Sequence, residues 1–154
     1  MADDLYDRDY FAWAQVQAEA LRAHRSGENA LDYDNLAEEV EDLGGSIRRA
    51  CISQIANIIE HLLKIELLGG PASLHWRSEV ISFRIELESD LTPSLAAALP
   101  SEIDAIYPKV RRRLGARLEA EGVKLELPQA CPYGWDDILG RGVDWTPEPA
   151  ERSE

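Results

Sequence analysis

One apolar stripe in the middle of the chain constrains the fold more than any other feature of the sequence. Its members follow one another at steps of three or four residues: Leu36, Val40, Leu43, Ile47, Cys51, Ile55, Ile58, Leu62 and Ile65. At about 100° per residue, this spacing places the side chains on one face of a helix. The register persists across Gly44 and Gly45. We therefore expect residues 35–68 to form either one long helix or two halves bent at the glycines.

Shorter helical patterns precede and follow this stripe. The first is predicted to run from Asp7 to His24, with Asp7 as its N-cap and a turn after it. Two glycines and a proline after Leu68 end the long helix. The next helix is predicted to begin at Ala72 or Ser73.

The second half of the chain predicts an interrupted helix and a tail. Thr92 is the expected N-cap, with Pro93 at the first helical position. The apolar stripe of this helix keeps its register through Pro100 and Pro108, and each proline removes a backbone hydrogen bond. The helix should therefore be bent or segmented. An extended stretch and a short helical turn within residues 132–139 follow it.

These patterns predict an all-α fold, a single helical bundle of about five helices closed by a C-terminal tail packed across it. The length suits one domain, assigned to residues 1–147, with a frayed end over 148–154. No apolar run is long enough to span a bilayer, and the acidic N-terminus MADDLYDRDY lacks the apolar core of a secretory signal. We expect a cytoplasmic protein. The wide stripe fits a homodimer as well as the core of a monomer.

Charge is abundant and unevenly distributed. The net charge of −13 repels polyanions and argues against general nucleic-acid binding. Residues 28–42 carry seven acidic side chains and no basic one, whereas residues 109–117 carry five basic side chains and no acidic one. Such blocks usually neutralise each other within a fold, but they can also serve different partners.

The acidic block has the spacing of a carboxylate metal cluster, but its geometry argues against one. Asp34, Glu38 and Glu41 lie three or four residues apart, as metal ligands in helical bundles do. On the helical wheel they point away from the stripe, and only Glu39 lies beside the core face. The Glu-x-x-His pattern of di-iron proteins does not occur. The sequence therefore predicts no metal site, and it indicates no cofactor.

A line of polar side chains borders the stripe further along the long helix. Gln54, Asn57 and His61 follow at three and then four residues. Polar groups at the margin of a core must be hydrogen-bonded or hydrated. They can form a buried polar seam that fixes how the helices pair. Alternatively, they line a small pocket in which His61 acts as a base or a ligand.

Several short segments of the chain resemble the bacterial domain of unknown function 29 family. In order, these segments are Tyr6-Asp7-Arg8-Asp9-Tyr10 with Trp13, Asn35-Leu36-Ala37-Glu38-Glu39-Val40-Glu41 with Leu43-Gly44, His61-Leu62-Leu63-Lys64, Trp76-Arg77 and Cys131-Pro132-Tyr133. The resemblance covers about residues 6–147. It implies an all-helical domain and no activity, and it draws attention to Glu38, Glu39, Glu41, His61, Trp76 and Arg77. The family's fifth helix usually lacks proline, so Pro100 and Pro108 depart from its pattern.

No catalytic signature accompanies these features, so the leading hypothesis is a non-enzymatic interaction module. It would bind another protein through the acidic face around Glu38 and Glu41, or through the basic face around Arg111. A second hypothesis is a metal-dependent or acid–base enzyme that uses His61 at a pocket between helices. A third is a small-molecule sensor with its pocket beside the same polar line.

Overall fold

The computed structural model describes residues 2–24 and 31–141, and within these ranges the protein is helical without strands. The elements are α1 (Ala2–Arg8), α2 (Tyr10–Ala23), α3 (Tyr33–Leu67), α4 (Ser73–Asp90), α5 (Pro93–Ala98), a 3₁₀ helix (Leu99–Glu102), α6 (Ile103–Ala120) and α7 (Trp135–Leu139). The all-α prediction is confirmed. The described ranges contain more than the predicted five helices. One reason is that residues 2–8 form a separate helix before α2, and another is that the predicted proline-containing helix is divided into α5, the 3₁₀ helix and α6. Across the described ranges, none of these helices combines the length and apolarity needed to cross a membrane.

The chain forms two compact units. The first combines Met1–Cys51 with Asp90–Ala98, and the second combines Ile52–Ser89 with Leu99–Glu154. The single domain over residues 1–147 stays a prediction. The predicted turn at Ser26-Gly27, the last part of the tail and the frayed end over 148–154 lie outside the described residues.

The long stripe forms one helix of 35 residues, so the continuous alternative holds rather than the pair bent at the glycines. Gly44 lies against α2 in the first unit. A Cβ atom at this position would lie 2.9 Å from the Cβ atom of Ala14, which is closer than real Cβ contacts allow. Gly44 is therefore present because the backbones of the two helices approach closely.

The first half of α3 turns a different face inward from the one predicted. Ala37, Gly44 and Cys51 are buried there, whereas Leu36 and Leu43 are 40% and 53% exposed. The inward face thus consists of small residues, and the leucines lie to one side of it. From Cys51 onward the predicted stripe does form the core. The prediction is wrong only for the segment in which close helix packing requires small side chains.

Asp9, rather than the predicted Asp7, is the N-cap of α2. Its Oδ1 accepts a hydrogen bond of 2.9 Å from the backbone N–H of Ala12. The same carboxylate accepts hydrogen bonds from the backbone N–H of Ser94 at 2.6 Å and from the Ser94 hydroxyl at 2.9 Å. Asp7 lies exposed in α1. The buried Asp9 side chain therefore joins the beginnings of α2 and α5 within the first unit.

The core of the second unit includes residues from the later part of α3, from α4 and from α6. The predicted α6 stripe has five members, of which Ile103, Val110, Leu114 and Leu118 are buried. The fifth, Ile106, is only half-buried, and the neighbouring Tyr107 is buried instead. The predicted segmentation is confirmed, because the first proline falls in the 3₁₀ helix and the second lies inside α6. The second proline is exposed, so its ring does not displace a core side chain.

The short helix α7 is held by an arginine of α4. The Arg84 guanidinium donates hydrogen bonds to the backbone carbonyls of Ile138 and Asp137, at 2.9 and 2.7 Å. Gly140 ends the helix at φ 72°, and a Cβ atom there would lie 2.9 Å from the Arg84 guanidinium carbon. A five-residue helix is unstable alone. Arg84 therefore supplies the cationic C-terminal partner on which it depends.

Candidate functional site

The acidic block of the sequence becomes an exposed surface beside two exposed leucines. Leu36 and Leu43 lie two turns apart on the same side of α3, with Glu39 between them. Glu38, Glu39 and Asp42 are exposed. The expectation that Glu39 lies at the margin of the core is wrong, whereas Glu38 points to water as expected. Glu38 lies nearly opposite Leu36 on the helix, whereas Glu39 and Asp42 lie towards the leucines. We call Leu36, Leu43, Glu39 and Asp42 the acid-flanked leucine ridge.

Glu41 does not belong to this ridge, because it faces α2. Its carboxylate accepts a hydrogen bond of 2.5 Å from the Arg22 guanidinium, and both side chains are about half exposed. This hydrogen bond raises the pKa of Arg22. Glu41 was predicted to point away from the apolar stripe, but its ion pair with Arg22 was not predicted. Arg22 could be identified as the partner of Glu41 only from the way α2 packs beside α3, which the sequence does not show.

The polar line on α3 connects to α4 and α6 in the second unit. Gln54 donates a hydrogen bond of 2.5 Å to the Glu86 carboxylate of α4. The Asn57 side-chain oxygen accepts one of 3.3 Å from Arg113 of α6. These contacts give the line the geometry of a polar seam between helices, which is the first of the two alternatives the sequence left open.

Glu60 is the central residue of this seam, and the sequence reasoning missed it. Its side chain is 2% exposed, and its carboxylate accepts hydrogen bonds from Arg113 at 2.8 Å and from Arg117 at 3.2 Å. Both arginines belong to the basic block, so that block neutralises an acid of α3 that lies outside residues 28–42. An ionisable residue inside an otherwise apolar run, Ile58-Ile59-Glu60, was the signal available in the sequence.

His61 is half-buried and bonded to its own helix. Its Nδ1 lies 2.8 Å from the backbone oxygen of Asn57, and its ring centroid lies 5.2 Å from that of Phe83. Because a carbonyl oxygen only accepts, Nδ1 carries the proton and Nε2 is the acceptor. Burial lowers the pKa of His61, so the neutral ring is favoured at neutral pH. In the described ranges, no three His, Cys, Asp or Glu side chains converge on a site for a metal ion.

The remaining predicted site residues, Trp76 and Arg77, begin α4 and belong to the second unit. Both are half-buried. The Lys64 ammonium lies 6.0 Å from the centroid of the Trp76 ring, within reach of a cation–π interaction. Trp76 and Arg77 therefore lie at the junction of α3 and α4, near the end of the helix that carries His61.

A second missed contact holds the Cys131-Pro132-Tyr133 segment. The Tyr133 hydroxyl donates a hydrogen bond of 2.5 Å to the Glu66 carboxylate, and the Cys131 thiol donates one of 3.5 Å to the Tyr133 carbonyl. Burial and the Glu66 carboxylate raise the pKa of Tyr133. The hydroxyl thus stays protonated, and its role is to anchor this segment to α3.

A family model described as "Domain of unknown function DUF29" matches residues 5–143. The chain belongs to this family. A crystal structure of an alpha-helical protein of unknown function from Rhodospirillum rubrum is similar in fold, with a TM-score of 0.74. The two sequences are 29% identical, over 88% of this chain and 89% of that one. A comparison with curated proteins gives no match. The family and its neighbour establish the fold and carry no assigned activity.

Proposed function

We propose that this DUF29 protein is a protein-binding module whose partner presents a basic amphipathic segment to the acid-flanked leucine ridge. One observation carries the proposal: Leu36 and Leu43, which have the spacing of core residues, are 40% and 53% exposed. Apolar side chains grouped on a surface with a charged border are typical of binding faces. The small residues beside them already fill the contact with α2, so the leucines are not needed for packing there.

The chemistry of the ridge defines the partner. The two leucines are seven residues apart, which is about 10.5 Å along the helix. A helical segment with apolar residues at the same interval can place them against both leucines. Lysine or arginine at its edge would then face Glu39 and Asp42. The net charge of −13 would accelerate the encounter with such a segment and oppose the approach of acidic ones.

The proposal can be tested with a synthetic helical peptide that has a leucine face bordered by lysines. Binding is measured by fluorescence anisotropy, and a scrambled peptide of the same composition is the control. Leu36→Ser combined with Leu43→Ser should weaken binding tenfold or more. Glu39→Lys combined with Asp42→Lys should do the same and should also reduce the salt dependence. Glu119→Lys combined with Glu121→Lys, at exposed positions of the second unit, is the matched charge control.

A natural partner should obey the same rules. A photo-cross-linking residue at Leu43, used in the native host, should label a basic amphipathic segment of one protein. Labelling of that protein should be lost when the cross-linking residue is combined with Leu36→Ser or with the charge-reversal pair. Labelling should be retained when it is combined with Glu119→Lys and Glu121→Lys. Equal binding of the designed and scrambled peptides, or ridge variants that bind as the parent protein does, would contradict the proposal.

A further inference from the structure

One side of α4 is apolar and exposed. Leu74, Ile81 and Ile85 are 73%, 57% and 62% exposed. Three serines lie among them and are also exposed. We call the six residues the α4 face: Leu74, Ser78, Ile81, Ser82, Ile85 and Ser89. At about 100° per residue they share a sector of about 100°, on the opposite side of the helix from its buried residues.

The order of residues on this face is symmetric. Its members follow one another at steps of four, three, one, three and four residues, so the pattern of positions is the same in both directions. When the six positions are taken in reverse order, a serine stands where the forward order has an apolar residue, and an apolar residue stands where it has a serine. A helix face with this property is complementary to its own antiparallel copy, because a large side chain of one copy meets a small one of the other. Complementarity of a patch to itself is what a two-fold interface requires.

We propose that the protein forms a homodimer in which the α4 faces of two copies pack antiparallel. The two-fold axis passes between Ile81 and Ser82. Ile85 of one copy then faces Ser78 of the second copy, and Leu74 shares a layer with Ser89 of the second copy. Ile81 and Ser82 of both copies surround the axis. The serines allow the helices to approach closely, and the aliphatic side chains fill the space beside them.

The charges that border the face favour this direction. Arg77 lies near the beginning of α4 and Glu88 near its end, and both border the face on the same edge. In the antiparallel arrangement, Arg77 of each copy lies opposite Glu88 of the second copy. In a parallel arrangement the charged edges of the two copies would lie on opposite sides of the contact, so Arg77 would not meet Glu88 of the second copy. The face itself carries no ionised side chain, so the large negative charge of the chain lies outside the contact.

The first test is the mass of the full-length protein by sedimentation velocity, from micromolar to near-millimolar concentration. We expect a species of twice the 17.2 kDa of one chain. Ile85→Glu places a charge at an exposed position and should give monomers, while circular dichroism shows an unchanged helix content. Leu43→Glu, an equally exposed substitution on α3, is the matched control and should remain dimeric. A monomeric parent protein, or a dimer unaffected by Ile85→Glu, would overturn the proposal.

The second test examines the register by disulfide trapping in a Cys131→Ser background. Ser78→Cys alone should not cross-link, because the two Ser78 positions lie about 10.5 Å apart along the paired helices, beyond disulfide reach. The same holds for Ile85→Cys alone. A mixture of the two variants should form a mixed disulfide, whereas a mixture of Ser78→Cys with Ser89→Cys should not. Cross-linking in the second mixture and not in the first would refute this register.

The dimer does not depend on the proposed function, and the same two variants separate them. Leu43→Glu should abolish binding of the basic peptide and leave the dimer intact. Ile85→Glu should do the reverse. A single variant that removes both properties would show that one surface serves both, and would overturn the assignment of the dimer to α4.

Discussion

Replacing Asp9 with alanine should destabilise the protein more than any other change of a single acidic residue in the first unit. The substitution removes the cap of the Ala12 N–H, which costs about 1 kcal/mol. It also leaves the Ser94 N–H without its ionised acceptor, at a cost of about 2 kcal/mol. The free energy of unfolding should therefore fall by about 3 kcal/mol. Asp9→Asn keeps one acceptor oxygen but replaces the other with an NH₂ group, which cannot accept a hydrogen bond from a backbone N–H. A smaller loss of about 2 kcal/mol is therefore expected.

Urea denaturation followed by circular dichroism measures these differences. Asp7→Ala is the matched control, because Asp7 is exposed two residues away and sequence alone favours it as the cap. Its effect should stay within about 0.5 kcal/mol. The reasoning is refuted if Asp7→Ala costs as much as Asp9→Ala, or if Asp9→Ala costs less than Asp9→Asn.

The pH dependence gives an independent measure of the same carboxylate. Burial raises the pKa of Asp9, but hydrogen bonds from Ala12, Ser94 and Thr92 outweigh burial and lower it below 3.8. With the folded pKa below the unfolded one, Asp9 stabilises the fold above about pH 4. This contribution disappears as the pH falls through the lower, folded pKa. The stability difference between the parent protein and Asp9→Asn should therefore narrow in acid.

Three further changes test other features of the structure. Gly44→Ala should lower the free energy of unfolding by about 1–3 kcal/mol, because it forces α2 and α3 apart. Gly45→Ala meets only the end of a flexible arginine side chain and should stabilise α3 by up to about 1 kcal/mol. Thermal melts of the two variants test this difference. Arg113→Ala leaves the buried Glu60 carboxylate with one partner and should lower the free energy of unfolding by about 3 kcal/mol. Glu60→Gln should lower it by only about 1 kcal/mol, because the partly exposed arginines can then be hydrated. Equal losses in urea titrations would contradict this. Burial lowers the pKa of His61 below 6.5, so protonation of this residue should reduce the stability of the fold as the pH falls below about 6.5. An NMR titration of His61 should give a midpoint below 6.5. His61→Gln should remove the loss of stability that protonation of His61 causes.

Periodicity predicted the helical elements well, because most of the apolar stripes in this chain correspond to the core. Four of the five predicted members of the α6 stripe are buried, and Pro100 falls in the 3₁₀ helix that precedes α6. Gly122, at φ 73°, follows the end of α6, and glycine is the residue that most readily adopts this conformation after a helix. These features depend on local backbone chemistry, which a sequence displays directly.

Predictions that depended on tertiary contacts were less successful. In the first half of α3, periodicity favoured Leu36 and Leu43 as core, but the close approach of α2 selects Ala37 and Gly44 instead. Glu60 was missed because its arginine partners lie more than fifty residues further along the chain. The polar line of Gln54, Asn57 and His61 was located correctly, and its partners on α4 and α6 became known only from the fold.

The hydrogen bonds between Asp9 and Ser94 also have a consequence for synthesis on the ribosome. The first unit is discontinuous, since it combines Met1–Cys51 with Asp90–Ala98. When residues 1–51 have emerged, the Asp9 carboxylate has its Ala12 partner but not Ser94. That partner becomes available only after residues 52–89 have also left the exit tunnel. The helices α1 and α2 therefore remain incompletely bonded until residue 94 has also left the exit tunnel.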